Sequence, residues 1–384
     1  MKVLIITNLF PNNKQPGRGI FNKQQFCALA KLCNLKVVAP LPWTPKGIGG
    51  NRRSIFFDVI DEETINDIPV YHPRYFVTPK IGRVFYGFWF YFGITKKVRE
   101  IYKNFKFDLV LATWAYPDAF GAALLAGLLK KPLIIKVHGS DINITTYFLR
   151  KKMIAWALGQ AQKVVAVSEP LKQKIIEMGI AKEKIVVIPN GVNTQHFKPM
   201  DQRQCREHLH LSLDKKYVIF IGNLTPVKGV KYLIEAFQYL PKDIILNLIG
   251  DGELQAQLEQ RVKELNFSDR INFIGRVSHD AVPYWMNAAD IFCLPSLNEG
   301  CPNVVLEALA CKTPVVATKV GAIPELLPTE DYGILTEPEN SKMLAHSIQK
   351  ALDKKWDLLS DKITISDWKT TAEKLFEILH YAKK

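Results

Sequence analysis

Cysteine is scarce in this 384-residue chain and never closely paired: six residues, at 27, 33, 205, 293, 301 and 311. The lack of any C-x-x-C pair excludes the common zinc spacings and a small disulfide scaffold, and fits reduced, buried thiols in a cytoplasmic protein. Long apolar runs are missing as well. The longest beyond the N-terminus, Val84 to Ile94, is too short to span a bilayer. The opening MKVLIITNLF has no small-residue cleavage site and reads as a buried first strand, not an export signal. No repeat of solenoid length recurs. No strand opens onto G-x-G-x-x-G with an acidic residue about twenty positions later, which argues against a nicotinamide oxidoreductase. A D-x-D carboxylate pair for a metal is absent, and so is any nucleic-acid recognition module.

Acidic residues are short in one half only. Residues 1–200 hold 29 Lys/Arg and 12 Asp/Glu, a net +17, whereas residues 201–384 hold 22 and 25, a net −3, which together give +14. The first half is therefore expected to meet something anionic: a membrane surface, a phosphate-bearing acceptor or nucleic acid, the last disfavoured by the lack of a recognition module.

What is present is a strict alternation. KVLIITN, NLKVVAP, FDLVLAT, PLIIKVH, AQKVVAVS and EKIVVIP read as buried strands in the first half. KYVIFIG, IILNLIG, RINFIG, ADIFCLP and TPVVAT do so in the second. Helical patterns fall between them, at Asn22–Leu32, Tyr116–Leu129, Glu169–Met178, Val230–Tyr239, Leu254–Leu265, Val304–Ala310 and Met343–Leu352. Such alternation predicts an α/β protein with two parallel sheets flanked by helices. The seam falls between Pro189 and Asp214, around the Asn190-Gly191 turn pair. We divide the chain into domains 1–195 and 196–366, with a final helix at about 367–384 that crosses back onto the first.

One segment carries the chemistry: PSLNEGCPNVVLEALACKTPVVATKVGAIP, from Pro295 to Pro324. A strand ends in a loop with Gly300 and Pro302, and a helix starts near Asn303. Glycine lets a ligand approach the backbone closely. A helix start offers unpaired N–H groups and a positive dipole end, which suit a phosphate. Glu299 sits before the helix and Glu307 about one turn inside it. Two carboxylates so placed can accept hydrogen bonds from hydroxyls on either side of a bound pyrophosphate.

Glu299 and Glu307, with seven residues between them and Ala-Leu-Ala following, resemble the signature of glycosyltransferase family 4. The resemblance runs along nearly the whole chain: PNNKQPGRGIFNKQQ, KVHGSD, VIPNGVNTQHFKP, FIGNLTPVKGVKYLIEAF, LIGDGEL and INFIGRVSHDAVPYWMNAADIFCLPS match the family in order. The subfamily it most resembles makes bacterial cell-surface polysaccharides of the teichuronic-acid type. The resemblance implies the GT-B fold, two Rossmann-like parallel-sheet domains facing across a cleft, with the acceptor on the first and the nucleotide sugar on the second. It also implies a retaining reaction that needs no metal or other cofactor.

The resemblance assigns residues too. Glu307 would accept the ribose hydroxyls and Glu299 the sugar hydroxyls. Backbone around Gly300, Cys301, Pro302, Asn303 and Val304 would meet sugar and phosphate. Lys228 would face the donor pyrophosphate as the leaving group forms. The family usually carries an Arg shortly before that Lys, where this chain has Gly222-Asn223-Leu224; either Lys231 compensates or Lys228 bears more of the charge. His138, ending a buried strand, would touch the donor sugar, with Asp141 orienting its loop. Gly17 and Gly19 would bring backbone to the donor phosphates or the acceptor, and Arg276 would lie beside the base. Catalytic roles thus fall to His138, Lys228 and Glu299.

The implied donor is a UDP-sugar, with GDP-mannose as the alternative, and the implied acceptor a glycan or lipid-linked sugar in cell-surface polysaccharide synthesis. Between Tyr71 and Phe107 aromatics and cations are dense, as at a peripheral membrane contact on the cytoplasmic face; a core helix with a basic outer face fits the same pattern. Two rival functions share this fold: a sugar-nucleotide epimerase, and an inactive homologue that only binds sugar or membrane.

Overall fold

The computed structural model describes residues 1–44, 56–78, 82–143, 148–357 and 365–383. They form two compact units, one of residues 1–190 with 368–384 and one of residues 191–367.

The first unit is built on an eight-stranded sheet. Its strands are β1 (Lys2–Ile6), β2 (Asn34–Val38), β4 (Glu62–Ile65), β5 (Ile68–Tyr71), β7 (Leu109–Thr113), β8 (Leu133–Val137), β9 (Lys163–Ala166) and β10 (Ile185–Val187), in the order β10-β9-β8-β7-β1-β2-β5-β4. Only β4 is antiparallel to its neighbour. Short strands β3 (Leu41–Trp43) and β6 (Arg74–Phe76) pair separately. The central strands are buried along their whole length, as sheets covered on both faces require. Helices α1 (Ile20–Ala30), α2 (Tyr86–Phe105), α3 (Phe120–Leu129), α4 (Ser140–Asn143), α5 (Phe148–Gln160) and α6 (Glu169–Glu177) connect them.

The sequence reading has no counterpart for β3 to β6 or for α5, and two further features bear on it. The helix expected from Tyr116 opens with an irregular turn, Ala115–Ala119, and is a regular α-helix only from Phe120; Pro117 disfavours helical backbone at the residue before it, and Tyr116 is extended (φ −150°, ψ 131°). The aromatic and basic stretch yields a twenty-residue helix, α2, whose Gly87, Phe90, Ile94, Val98 and Ile101 form a buried stripe at helical spacing. Residues 79–81 of that stretch lie outside the described residues.

The second unit has six parallel strands: β11 (Lys216–Ile221), β12 (Ile244–Ile249), β13 (Ile271–Gly275), β14 (Ile291–Leu294), β15 (Val315–Thr318) and β16 (Gly333–Thr336). Their order is β13-β12-β11-β14-β15-β16. The chain winds outward in one direction from β11, then returns to its other side at β14. Helices α7 (Gln202–His208), α8 (Val230–Ala236), α9 (Gln255–Glu264), α10 (Val282–Ala288), α11 (Asn303–Ala310), α12 (Ile323–Leu326) and α13 (Ser341–Asp353) complete it. The last helix, α14 (Trp368–Lys383), belongs to the first unit, where Ala372, Leu375, Leu379 and Ala382 enter the core with Phe26 and Leu29 of α1. Among the described residues no helix is long and apolar enough to cross a membrane.

Candidate active site

In an open parallel sheet, ligands bind beyond the carboxyl ends of the strands, where the winding direction switches. In the second unit that point lies between β11 and β14. Lys228 follows β11 and Glu299 follows β14, and the two meet: Lys228 Nζ lies 2.6 Å from Glu299 Oε1, with both side chains largely shielded from solvent. Ser296 Oγ donates to the same oxygen at 2.6 Å. The carboxylate therefore arrives fixed by a cation and a hydroxyl, with Oε2 left for another donor.

Backbone contacts bring the loops together. Leu297 N–H donates to the Val227 carbonyl at 2.8 Å. Gly229 (φ 61°) takes a left-handed turn so close to the Pro295 carbonyl that a Cβ would stand 2.1 Å from its oxygen. Beneath Glu299, Gly321 (φ 55°) packs in the same way: a Cβ there would lie 2.1 Å from the Glu299 carbonyl oxygen. Ala322 N–H donates to the Gly300 carbonyl at 3.0 Å. Only glycine tolerates such backbone contact with positive φ. Gly222 N–H donates to Ile249 O and Leu224 N–H to Asp251 O, tying the loop after β11 to that after β12.

Helix α11 begins at Asn303, with Cys301 and Pro302 buried just before it and Asn303 and Val304 half-buried at its start. In its first turn Val305 N–H donates to the Pro302 carbonyl at 3.1 Å, while the turn as a whole presents the positive end of the helix dipole. Glu307 is half-buried one turn further on and has no side-chain partner among the described residues. Burial pushes its carboxyl up to about 7. Asn223 is exposed, and Lys231 places its ammonium 4.5 Å over the Tyr232 ring. Arg276 is exposed on the loop after β13 and pairs with Asp251 at 2.8 Å.

The first unit repeats the arrangement where β1 and β7 adjoin. Asp141 accepts from the N–H groups of His138 (3.0 Å), Gly139 (2.8 Å) and Ala115 (2.8 Å), and so shapes the loop after β8. His138 is wedged between the Phe21 ring at 4.9 Å and the Trp114 ring at 6.2 Å. Its buried Nε2 has no partner among the described residues. Burial, and then nearby Lys136, hold its pKa well below the usual value, so the imidazole is neutral. Asp118, after β7, accepts from Asn8 N–H at 2.6 Å through Oδ2, while its buried Oδ1 is unpartnered among the described residues. Burial raises its carboxyl well above the usual range. Arg18 Nε donates to the Asn8 carbonyl. Gly17 faces open space, whereas Gly19 packs on the Leu9 carbonyl at the start of α1.

Elsewhere on this unit, Val84, Phe85, Phe88, Phe120, Leu149 and Trp156 line an almost wholly apolar groove of about 260 Å³, with Lys152 at its edge. Beside it Trp89 and Phe92 are exposed on α2, Phe92 by 64%.

These two switch-point sites belong to a recognised kind of molecule. Residues 201–367 match the family model of glycosyl transferases group 1, and residues 52–196 that of Glycosyltransferase Family 4. TuaC of Bacillus subtilis (strain 168), named as a teichuronic acid biosynthesis glycosyltransferase, is 30% identical over 91% of this chain and 89% of its own. The chain belongs to glycosyltransferase family 4. The N-acetyl-alpha-D-glucosaminyl L-malate synthase of Bacillus anthracis is 28% identical over 64% of this chain and 65% of its own. The fold is GT-B. Sucrose-phosphate synthase from Thermosynechococcus elongatus superposes with a TM-score of 0.78 at 19% identity, covering 99% of this chain and 98% of its own. HepE of Anabaena, in complex with UDP and glucose, gives 0.75 at 22%, covering 99% of each chain.

Sequence reasoning had not singled out Ser296, Gly229, Gly321 or Asp118. Ser296 stood within the motif three residues before Glu299, the one signal that could have found it. The glycines act on backbone that is distant in sequence, and Asp118 sat inside an apparent helix pattern.

Proposed function

We propose that this glycosyltransferase moves a sugar from a nucleoside diphosphate to a hydroxyl of a glycan or lipid-linked acceptor in cell-surface polysaccharide synthesis, with retention of anomeric configuration. The second unit binds the donor, a UDP-sugar in the first instance and GDP-mannose as the alternative, and the first unit binds the acceptor. The observation that carries this reading is the Lys228–Glu299 pair, fixed by Ser296 at the switch point beside the start of α11. Lys228 and the α11 amides neutralise charge as the diphosphate departs, which is the main electrostatic demand of the step. No metal is needed in this scheme. Asn223 cannot supply a second cation and Lys231 is engaged with Tyr232, so Lys228 bears the charge. Free Oε2 of Glu299 receives sugar hydroxyls, and Glu307 receives the ribose. In the first unit, Nε2 of His138 and Oδ1 of Asp118 are left for a bound sugar.

The test is a panel of nucleotide sugars incubated with the protein and a polyprenyl- or glycan-linked acceptor. Acceptor-dependent release of the nucleoside diphosphate, with an unchanged anomeric configuration in the product, is expected. Epimer formation without acceptor would instead make the chain an epimerase, and no turnover across the panel would make it a binding homologue.

The apolar groove and exposed Trp89 and Phe92 support a second element: peripheral contact with anionic lipid on the cytoplasmic face, with Arg83 and Lys152 near the headgroups.

A further inference from the structure

Away from the donor site, three ligating side chains converge on the second unit. His196 comes from the first segment of that unit, and His279 and Asp280 from the loop between β13 and α10. One ligand atom from each lies within 4.8 Å of the other two. The two imidazoles stack, with centroids 4.9 Å apart and planes 9° from parallel. Buried Phe197 sets its ring edge-on against both, at 4.9 and 5.3 Å, and so forms an apolar floor. His196 Nε2 is 3.2 Å from the His279 carbonyl oxygen and 3.9 Å from Asp280 Oδ1.

We propose that His196, His279 and Asp280 form a binding site for one divalent transition-metal ion of the zinc type. Two ligands bound to such an ion at about 2.0–2.2 Å stand roughly 3.0–3.5 Å apart, and the gap from His196 Nε2 to the His279 carbonyl oxygen already has that spacing. Closing the site from 4.8 Å requires the two imidazoles to turn out of their parallel stack, so that the lone pair of each lies toward one ion. Asp280 is 93% exposed and can swing inward without disturbing the core. Two imidazoles, a carboxylate and a backbone oxygen make a nitrogen–oxygen set of borderline softness, which selects zinc, nickel or cobalt over magnesium and calcium. Ion binding replaces the contact between His196 and the His279 carbonyl with shared coordination. It ties the opening segment of the unit to the loop that also carries Arg276, without entering the Lys228–Glu299 site. The role is structural, and the proposal is independent of the donor chemistry.

The full chain, stripped with chelator, is titrated with Zn²⁺ by calorimetry and with Co²⁺ by visible absorption. One ion per chain, a rise in Tm with added Zn²⁺, and a cobalt spectrum lacking the near-ultraviolet thiolate charge-transfer band are expected. His279→Gln should weaken binding at least tenfold. Asp280→Asn, at a surface side chain whose replacement leaves the fold intact, should weaken it severalfold. A thiolate band would assign the ion to cysteines and overturn the site. Binding unchanged in both variants, or no binding below millimolar Zn²⁺, would overturn it equally.

Discussion

Lys228 Nζ and Glu299 Oε1 lie 2.6 Å apart although 71 residues separate them in sequence. The cation that the proposed function assigns to the phosphates is thus held in place by Glu299, and under that proposal an incoming diphosphate would compete with Glu299 for it. Lys228→Met should cut kcat/KM by about 100-fold or more and weaken UDP binding. Glu299→Gln frees the ammonium. It should leave UDP affinity unchanged or higher while affinity for the productive nucleotide sugar falls. Calorimetry with both ligands checks this, and equal losses of UDP affinity in the two variants would end the division of labour.

Glu307 gives a pH signature. Its carboxyl stands near 7, and only the ionised form accepts from both hydroxyls of a ribose. Nucleotide affinity should therefore rise as pH passes from 6 to 8, with proton release on binding at about pH 7. Glu307→Gln should lower affinity and abolish that part of the pH dependence, which separates it from titration of the phosphate itself.

The same group carries a stability prediction. Its folded pKa lies above the ordinary 4.5, so the free protein loses stability as pH rises from about 4.5 to 7 and carries the full deficit above 7. That deficit is on the order of 3 kcal/mol at most. Glu307→Gln should raise Tm at pH 8 and change it little at pH 4.5. A variant that melts lower at pH 8 would contradict the assignment.

Asp141 and His138 should separate structure from function. Asp141 holds three backbone N–H groups, and Asp141→Ala should cost about 2–4 kcal/mol in denaturant unfolding. His138→Ala removes a ring whose Nε2 bonds nothing among the described residues. It should cost more in kcat/KM, about tenfold or greater, than Asp141→Ala costs per unit of lost stability. If His138→Ala unfolds the protein yet the folded fraction turns over normally, the ring is only packing.

Gly321→Ala tests backbone positioning. The added methyl meets the Glu299 carbonyl oxygen at 2.1 Å and must displace it. Loss of about 1–3 kcal/mol of stability and a larger fractional loss of sugar-dependent than of UDP-only affinity are expected, read by calorimetry.

The surface aromatics have their own test. Phe92→Ser with Phe85→Ser, at the more exposed rings, should reduce sedimentation with anionic vesicles at low salt with little change in Tm, whereas Trp89→Ser should also lower Tm because Trp89 packs edge-on against Phe76 at 5.5 Å. Wild-type protein that ignores such vesicles would remove the membrane element of the proposal.

Most strands were legible because a buried parallel strand is a short, unbroken run of Val, Ile, Leu and Phe, and β11 to β15 fall where those runs predict; β3 to β6 and β16 were not, being three- or four-residue segments interrupted by Pro, Glu, Arg or Gly. The pairing order was not, since β11 and β14 become neighbours through winding that no local pattern records. Glu299 and Glu307 stand out as candidates from their motif, but the Lys228–Glu299 pair does not, because it joins loops that follow different strands. Helix α2 was ambiguous for a physical reason: its buried stripe and its exposed aromatics share one composition, and only the fold decides which rings face water. The helix misread at Tyr116 shows the reverse case, where Pro117 announced the break and the apolar pattern outweighed it.

Helix α14 completes the core of the first unit from the far end of the chain. During synthesis, residues 191–367 leave the ribosome as one uninterrupted stretch, able to close their core at once. The earlier-born unit must wait, its α1 face uncovered, until residue 368 and beyond have emerged. The part made first is finished last, and its exposed apolar face during that interval is where a chaperone would be expected to bind.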